Sequence, residues 1–333
     1  AIDSPTGIPL PLSATRPFAL HADAWTIARG EYTQTLAELT ASGTVNADRV
    51  DITNGLLTGD GTRISARGRV TFAPSVDLTV DGVVSADTVR PLYPAMLRDA
   101  RGSVELNGLR ITGDLGDPVV EGPWAFHDAL WGQILVAAGA GALRWQGGDA
   151  VLRDVKVSVF GGSAVASVRA DDLGAGAVEV EATATDLDIA RLREAFAPGV
   201  TTFNAVAGKL DGSFVATLAD DDVHSTGEWV LRDVAWRGSA VGNGSGSATH
   251  GLDGEQFEAH VTLAGDTRAT LSGALPKDDA LDIDISFTAR DVAPLAKVFG
   301  QDARGSAHGE GSITGSTTQP GVEAQATLSE GAW

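Results

Sequence analysis

Residues 281–287 read Leu-Asp-Ile-Asp-Ile-Ser-Phe, a strict alternation of apolar and polar side chains. Successive side chains of a β-strand point to opposite faces of its sheet, so this period of two predicts a strand with one apolar face. The same alternation occurs in residues 76–80, 178–184 and 257–263. The sequence therefore predicts an all-β fold, in which antiparallel strands share one apolar face and one polar face.

The apolar side chains of these four strands are the residues that we expect to line a ligand-binding surface. We call them the lining residues: Val76, Leu78, Val80, Val178, Val180, Phe257, Val261, Leu263, Leu281, Ile283, Ile285 and Phe287. The strands at 76–80, 178–184 and 281–287 occupy equivalent places in a long internal repeat, so the apolar face is predicted to be continuous.

Tryptophans mark the repeat, because Trp25, Trp131, Trp236 and Trp333 are 106, 105 and 97 residues apart. Ile111-Thr112-Gly113 precedes Trp131 at the same offset as Ile313-Thr314-Gly315 precedes Trp333, and the bulky residues Phe18, Trp124 and Trp229 each stand seven positions before a tryptophan. We therefore predict repeat units at 26–131, 132–236 and 237–333, with the end of a preceding unit at 1–25. Together they would form one continuous elongated structure, a piece of a longer protein.

Each unit is predicted to carry one short helix after its alternating strand, at residues 88–93, 189–196 and 292–299. Asp87, Asp188 and Asp291 precede these segments, and aspartate is a favourable N-cap. Asn-Gly and Asp-Gly dipeptides are typical of tight hairpin turns, which predicts turns at seven places. They are Asn54-Gly55, Asp60-Gly61, Asp81-Gly82, Asn107-Gly108, Asp211-Gly212, Asn243-Gly244 and Asp253-Gly254.

Composition excludes several partners. The chain has 44 acidic and 24 basic residues, a net charge of −20, which disfavours nucleic acid and docking to an anionic membrane surface. It has no cysteine, so disulfides and thiolate metal sites are excluded. No apolar run approaches the roughly 20 residues of a membrane-spanning helix, and the start shows no signal-peptide pattern.

The sequence shows no sign of an enzyme. None of the six histidines forms a zinc-binding pair, and Asp220-Asp221-Asp222 lacks the alternating ligands of a calcium loop. No nucleophile-elbow motif is present, and the glycine-rich residues 242–246 are not followed by a helix as a dinucleotide site requires. We therefore expect no catalytic residues, no metal and no cofactor.

The order of these features resembles the TamB/AsmA-like superfamily of bacterial envelope proteins. The resemblance rests on a short aspartate-led helix, a glycine-containing strand (Gly102 to Leu106), the segment Thr112 to Gly122 and an alternating strand that ends at Leu130-Trp131. The last unit repeats the order through Thr314-Gly315, Pro320, Val322 and Trp333, and the resemblance covers essentially the whole chain.

The resemblance implies a curled, U-shaped sheet, the β-taco, with an apolar groove that conducts phospholipid between the inner and outer membranes of a Gram-negative envelope. The implied partners are phospholipid acyl chains and, through terminal regions outside this chain, an outer-membrane barrel protein. The implied location is the periplasm, with a membrane anchor in a segment that precedes this chain.

Two other functions fit the same residues. An assembly factor would offer its sheet edges to the strands of outer-membrane proteins, because unpaired backbone groups can add another strand. A structural surface repeat would instead close its two walls on each other as a dry core. An open apolar surface favours lipid conduction, and a closed core favours the structural repeat.

Overall fold

The computed structural model describes residues 14–29, 32–92, 100–131, 134–171, 177–196, 205–219, 222–251, 254–275, 280–298, 300–316 and 320–332. Trp333 lies outside these ranges, and the side chains of Trp25 and Trp131 are likewise not described.

The described residues form a single antiparallel sheet of 19 strands, and the residue registers join each strand to its neighbour along the chain. The strands are β1 (Arg16–Arg29), β2 (Tyr32–Val45), β3 (Arg49–Gly59), β4 (Thr62–Thr71), β5 (Ser75–Ser85), β6 (Arg101–Asp114), β7 (Asp117–Trp131), β8 (Ile134–Gln146), β9 (Asp149–Val159), β10 (Gly162–Ala170), β11 (Val178–Asp188), β12 (Val206–Ala219), β13 (Asp222–Trp236), β14 (Ser239–Gly251), β15 (Gly254–Leu263), β16 (Thr267–Leu275), β17 (Ala280–Ala289), β18 (Arg304–Ser316) and β19 (Pro320–Ala332). The predicted all-β antiparallel fold is confirmed, while its curl into a U-shaped groove stays a prediction.

The chain divides into two compact units, and the boundary falls between Val155 and Lys156 within β9. Unit 1 contains the described residues up to Val155, and unit 2 contains those from Lys156 onward. Trp131 ends β7 and Trp236 ends β13, as predicted, whereas Trp25 lies four residues before the end of β1. The repeat boundaries at these tryptophans stay predictions.

Among the described residues, three short α-helices recur at intervals of six strands: α1 (Ala86–Val89) follows β5, α2 (Ile189–Phe196) follows β11, and α3 (Ala293–Val298) follows β17. Odd-numbered strands run towards the helices and even-numbered strands run away from them. In each unit the helices therefore lie at one end of the strands. We call this row of strand ends the helix edge; the term does not refer to an outermost strand. The opposite end, where β12 ends and β13 begins in unit 2, is the turn edge.

Two of the three predicted aspartate caps are confirmed. Asp188 accepts the backbone N–H of Ala190 at 2.9 Å, and Asp291 accepts that of Ala293 at 3.0 Å. The prediction for Asp87 was wrong, because the cap of α1 is Ser85, whose hydroxyl accepts the N–H of Asp87 at 3.2 Å. The hydroxyl reaches this N–H because Ser85 keeps an extended backbone, with φ −74° and ψ 141°.

Most of the predicted Asn-Gly and Asp-Gly turns are wrong. Only Asp60-Gly61 forms a turn, while five of the other dipeptides lie inside strands; Asp253 is outside the described residues. Several coincide with shifts of strand register, as at Asp81-Gly82, where the pairing of β5 with β6 changes between Val80 and Gly82. A β-bulge needs the unusual backbone angles that glycine supplies, so the same dipeptide serves a bulge as well as a turn.

The sheet buries few side chains completely. The accessible surface of the chain is 20395 Å², whereas a globular chain of this length would expose about 13,000 Å². Among the described side chains, only Leu36 and Thr267 are less than 2 % exposed. Most apolar side chains therefore keep partial contact with solvent instead of forming a closed core.

Buried threonine hydroxyls lie at the starts of β4 and β16, the third strands of the predicted units 26–131 and 237–333. In unit 1 the Thr62 hydroxyl donates to the Thr88 hydroxyl at 2.7 Å and accepts the N–H of Ser85 at 3.0 Å, and Thr88 donates to the carbonyl of Asp60 at 3.2 Å. In unit 2, Thr267 occupies the corresponding place at the start of β16, and its buried hydroxyl has no hydrogen-bond partner.

These two threonines should respond oppositely to the same substitution. Thr62→Val leaves the Ser85 N–H without its partner and removes one of the two hydrogen bonds of the Thr88 hydroxyl, so the free energy of unfolding should fall by about 1–3 kcal/mol. Thr267→Val removes an unpaired buried hydroxyl at constant shape, so stability should stay equal or rise by about 1 kcal/mol. Chemical denaturation followed by circular dichroism measures both, and an equal loss in the two variants would contradict the assignment.

Candidate functional site

The lining residues lie in β5, β11, β15 and β17, and all of them are half-buried except Val76 and Val80, which are 5 % and 8 % exposed. Their polar neighbours are more exposed. In β17 the side chains of Asp282, Asp284 and Ser286 are exposed, while the apolar side chains between them are half-buried. The predicted alternation of an apolar and a polar face is present in these strands.

Strand pairing joins the lining residues of unit 2 into rows across several strands. Ala259 of β15 pairs with Leu271, Leu271 pairs with Ile285, and Ile285 pairs with Gly311 of β18. The neighbouring row runs from Val261 through Ala269 and Phe287 to Gly309. Paired residues in an antiparallel sheet share a face, so these rows form one apolar face that crosses at least four strands.

Unit 1 has an equivalent apolar face. Val80 of β5 pairs with Ala66 on one side and with Leu109 on the other, and Leu78 pairs with Gly68 and Ile111. Ile111 in turn pairs with Val120 of β7, which pairs with Trp145 of β8. Both units therefore bring the predicted residues together with apolar neighbours that the alternation rule alone did not single out.

The apolar face of unit 2 is covered at one end and open at the other. Near the helix edge Leu187 is 7 % exposed and Ala289 is 2 % exposed. Towards the turn edge Leu218, which pairs with Val178, is 44 % exposed, and Val322, which pairs with Ile313, is 66 % exposed. Phe214, which pairs with Ala182 in mid-strand, is 45 % exposed. Exposed side chains of this size on one face are typical of a surface that binds an apolar ligand.

Aromatic rings lie on glycines of the following strand, a feature that sequence reasoning missed. A β-carbon placed on Gly246 would lie 2.8 Å from Cε2 of Trp229, its partner in β13, and one placed on Gly309 would lie 2.8 Å from Cζ of Phe287. Phe18 and Trp124, also seven positions before a tryptophan, pair with Gly43 and Gly141. The sequence shows a bulky residue seven positions before Trp25, Trp131 and Trp236 and glycines in the next strand. Only the strand register shows that the two residues lie opposite each other.

Trp124 also stacks on Phe126, with the ring centroids 5.6 Å apart and the planes inclined by 26°. The indole N–H of Trp124 is buried and has no hydrogen-bond partner. Both residues share a face with Val120 and Gly122 of β7, so this aromatic pair belongs to the apolar face of unit 1.

The polar face of unit 2 carries three shallow cavities of about 550, 480 and 290 Å³. They adjoin one another, because Ser247 lines all three, and the largest is lined on β15 by Glu258 and His260 but not by Ala259, which lies between them. Hydroxyls and carboxylates dominate the polar side chains that face these cavities. Apolar side chains also contact these cavities: Trp229 and Val230 line the largest, Phe257 the second, and Phe214 and Val215 the third. Of the lining residues, only Phe257 takes part in these three cavities.

Ion pairs cross the polar face near the helix edge. The Arg232 guanidinium donates to both carboxylate oxygens of Asp211, at 2.6 and 2.9 Å, and to Asp186 at 2.7 Å. These bonds raise the pKa of Arg232 above its ordinary value. The bond from Arg232, followed by the backbone N–H of Asp186 at 2.8 Å, holds the pKa of Asp211 below its ordinary value. In unit 1, Arg69 and then Arg49 lower the pKa of Asp51 in the same way.

Four histidines of the described strands lie near a carboxylate, and one of them is His250, which is 3.7 Å from Glu255. His127 is 3.5 Å from Glu105, His260 is 3.4 Å from Glu258, and His21 is 3.1 Å from Asp23, all at exposed positions. The part of the chain that the structure describes contains no group of three or more histidine, aspartate and glutamate side chains that could hold a metal ion. Within the same residues, no helix has the length and hydropathy needed to cross a bilayer.

Comparison with known proteins gives no relative: no protein family, no curated protein and no solved structure matches this chain.

The aromatic ring on Gly246 yields a stability prediction. A methyl group there would meet both the Trp229 ring and the carbonyl oxygen of Glu258, so Gly246→Ala should lower the free energy of unfolding by about 1–3 kcal/mol. Gly244 lies on the same face two residues earlier, where a β-carbon would make only ordinary contacts at 3.5 Å or more. Gly244→Ala is the matched control and should cost less than about 1 kcal/mol. Equal losses in denaturation midpoints would show that the ring plays no part.

The Arg232–Asp211 pair predicts a dependence on acid pH. Because the folded-state pKa of Asp211 is depressed, its stabilisation is present above the ordinary aspartate value of about 3.9 and is lost as the pH falls below it. Asp211→Asn should therefore flatten the fall in the thermal unfolding midpoint between about pH 5 and pH 3. Asp282→Asn, at an exposed carboxylate that has no ion pair to a described residue, serves as the control and should leave the slope unchanged.

Proposed function

We propose that this chain is a segment of a surface that conducts phospholipid between the two membranes of a Gram-negative envelope. The observation that carries the proposal is the apolar face of unit 2, whose rows run across adjacent strands while Phe214, Leu218 and Val322 stay 45 %, 44 % and 66 % exposed. An exposed face of this kind needs an apolar partner, because contact with water is unfavourable along its whole length.

The chemistry of the face suits acyl chains that move. Its rows consist of valine, leucine, isoleucine, phenylalanine, alanine and glycine, which make apolar contacts without direction. A chain that slides from one row to the next exchanges nearly equal contacts, so no step is held by a specific polar bond. The rings of Trp229 and Phe287 lie on glycines instead of standing between the rows.

The resemblance to the TamB/AsmA-like superfamily contributes the location of the transport, because it implies a groove that runs between the inner and outer membranes. It rests on the order of helix, glycine-containing strand and tryptophan-ended strand, and the helices after β5, β11 and β17 recur with the spacing that this order requires. A U-shaped curl would place the apolar face inside a groove, and partners at the ends of such a groove would lie outside this chain.

Mass spectrometry of bound lipid tests the proposal directly. The 333-residue chain, produced in a Gram-negative host and purified without added lipid, should carry phospholipid that native mass spectrometry detects and organic extraction identifies. A chain free of phospholipid under these conditions, and unable to take it up from vesicles, would overturn the proposal.

A pair of neighbouring variants separates the two faces. Phe214→Asp places a charge on the exposed apolar face, and burial of that charge beneath an acyl chain is unfavourable, so lipid uptake should fall to the background level. Val215→Asp is the matched control, because Val215 is 41 % exposed and faces the polar side. Circular dichroism checks that both variants fold. The substitutions Leu78→Asp, Val180→Asp and Ile283→Asp extend the same test to the lining residues. Equal uptake by the Phe214 and Val215 variants would contradict the role of the apolar face.

A further inference from the structure

Polar side chains interrupt the apolar face of unit 2 near its turn edge. The row that runs from Ala182 through Phe214 to Val322 crosses nine strands, and it contains only alanine, glycine, valine, isoleucine and phenylalanine. The adjacent row towards the turn edge is different, because its members on β13, β14 and β15 are polar. We call these three side chains the polar triplet: Ser225, His250 and Glu255.

The strand register places the polar triplet on the same face as the apolar rows. His250 pairs with Ser225 on one side and with Glu255 on the other, and paired residues of an antiparallel sheet share a face. Ser225 in turn pairs with Ala216, which pairs with the lining residue Val180. Nδ1 of His250 lies 3.7 Å from Oε1 of Glu255. A hydroxyl, an imidazole and a carboxylate therefore stand side by side where the apolar rows end.

The fold itself does not require polar residues at these places, because unit 1 carries apolar ones. The residues that stand 105 positions before the polar triplet are Val120, Trp145 and Ala150. Val120 pairs with Trp145 in unit 1 as Ser225 pairs with His250 in unit 2, so the two rows correspond in register as well as in sequence. The polar triplet is therefore a local property of unit 2, and a role in ligand binding gives a reason for it.

The polar triplet offers hydrogen-bond acceptors that lack a donor. Nδ1 of His250 is buried and has no hydrogen-bond partner, since 3.7 Å to the Glu255 carboxylate is too long for one. The Glu255 side chain is exposed, and no described lysine or arginine forms an ion pair with it. A serine hydroxyl, a neutral imidazole and a carboxylate can all accept a hydrogen bond. A donor that enters between the imidazole and the mobile end of the Glu255 side chain satisfies both groups.

The apolar face is long enough to hold acyl chains between the polar triplet and the covered end. His250 and Gly242 are eight residues apart on β14, which is about 26 Å at the strand rise of about 3.3 Å per residue. The acyl chains of one leaflet span half of a hydrocarbon core of about 30 Å, which is about 15 Å. Gly242 pairs with Leu263, and Leu263 pairs with the buried Thr267. Chains that start at the polar triplet therefore end before the covered helix edge.

We infer that the polar triplet binds the primary ammonium group of a phosphatidylethanolamine headgroup, while the acyl chains lie on the apolar rows towards the helix edge. This inference rests on the proposed function and adds the headgroup class and the orientation of the lipid. A primary ammonium has three N–H donors and no acceptor, which matches three acceptors and the negative charge of Glu255. A quaternary ammonium has no N–H to donate. The turn edge is also the open end of the face, so the phosphate beside the ammonium keeps contact with water.

The test compares phosphatidylethanolamine with phosphatidylcholine, which differ only in the methyl groups on the headgroup nitrogen and carry the same charges. Each lipid, with the same fluorescent acyl chain and delivered from the same vesicles, is titrated with the 333-residue chain. The wild type should bind phosphatidylethanolamine about tenfold more tightly, the scale of one charge-assisted hydrogen bond. Glu255→Gln should lose most of this preference while its affinity for phosphatidylcholine stays unchanged. The triple variant Ser225→Val, His250→Trp, Glu255→Ala introduces the residues of unit 1 and should bind the two lipids equally.

A matched control lies on the same strand. Glu258→Gln removes an exposed carboxylate on the polar face and should keep the full preference for phosphatidylethanolamine. Equal affinity of the wild type for the two lipids, or a preference that persists in Glu255→Gln and in the triple variant, overturns the ammonium site and leaves the proposed function intact. A wild type that binds neither lipid overturns the proposed function itself. Free phosphoethanolamine that displaces the lipid at a concentration comparable to the lipid's own overturns the assignment to a lipid headgroup.

Discussion

The pairing of each strand with its neighbour along the chain is the constraint on which the rest of the structure depends. Short connections between neighbouring strands leave little chain for a second layer, and in each unit the described helices lie at one end of the strands. The alternation of side chains then decides what each face can do, because one face collects the valine, leucine and isoleucine side chains and the other collects the carboxylates and hydroxyls. Buried Leu187 and exposed Val322 show the two extremes of the apolar face, one beside α2 and the other far from any helix.

Glycines in the strands have a specific use in this fold. Glycine weakens a strand because it adds backbone freedom and packs no side chain. At Gly246 and Gly309 an aromatic ring from the neighbouring strand occupies the space of the missing side chain, so apolar contact is recovered from across the pair. The ring then lies along the sheet instead of standing on it. On the proposed function this arrangement keeps large rings in the surface without a barrier between rows of lining residues.

The sequence predicted the strands well where alternation was strict, because period two reports directly on two different environments. Every lining residue lies in a strand and all are at least half-buried. Local signals were less reliable where the same residues suit two different structures. Asn243-Gly244 is typical of a hairpin turn but lies inside β14. Ser85 and Asp87 are both favourable helix caps, and only Ser85 caps α1. The pairing of Trp229 with Gly246 depends on the strand register. The solvent exposure of the Phe214 side chain depends on what packs against that face of the sheet. No pattern within a single strand contains that information.

Composition gives the net charge of the chain but not the positions of its charged residues. A net charge of −20 predicts that the chain as a whole repels anions, and much of that charge lies on the exposed polar face, where it favours solubility over association of the apolar faces. The average says nothing about position, however. Because antiparallel strands return to the same edge every second turn, basic residues that are far apart in sequence, such as Arg237 and Arg304, reach one end of unit 2.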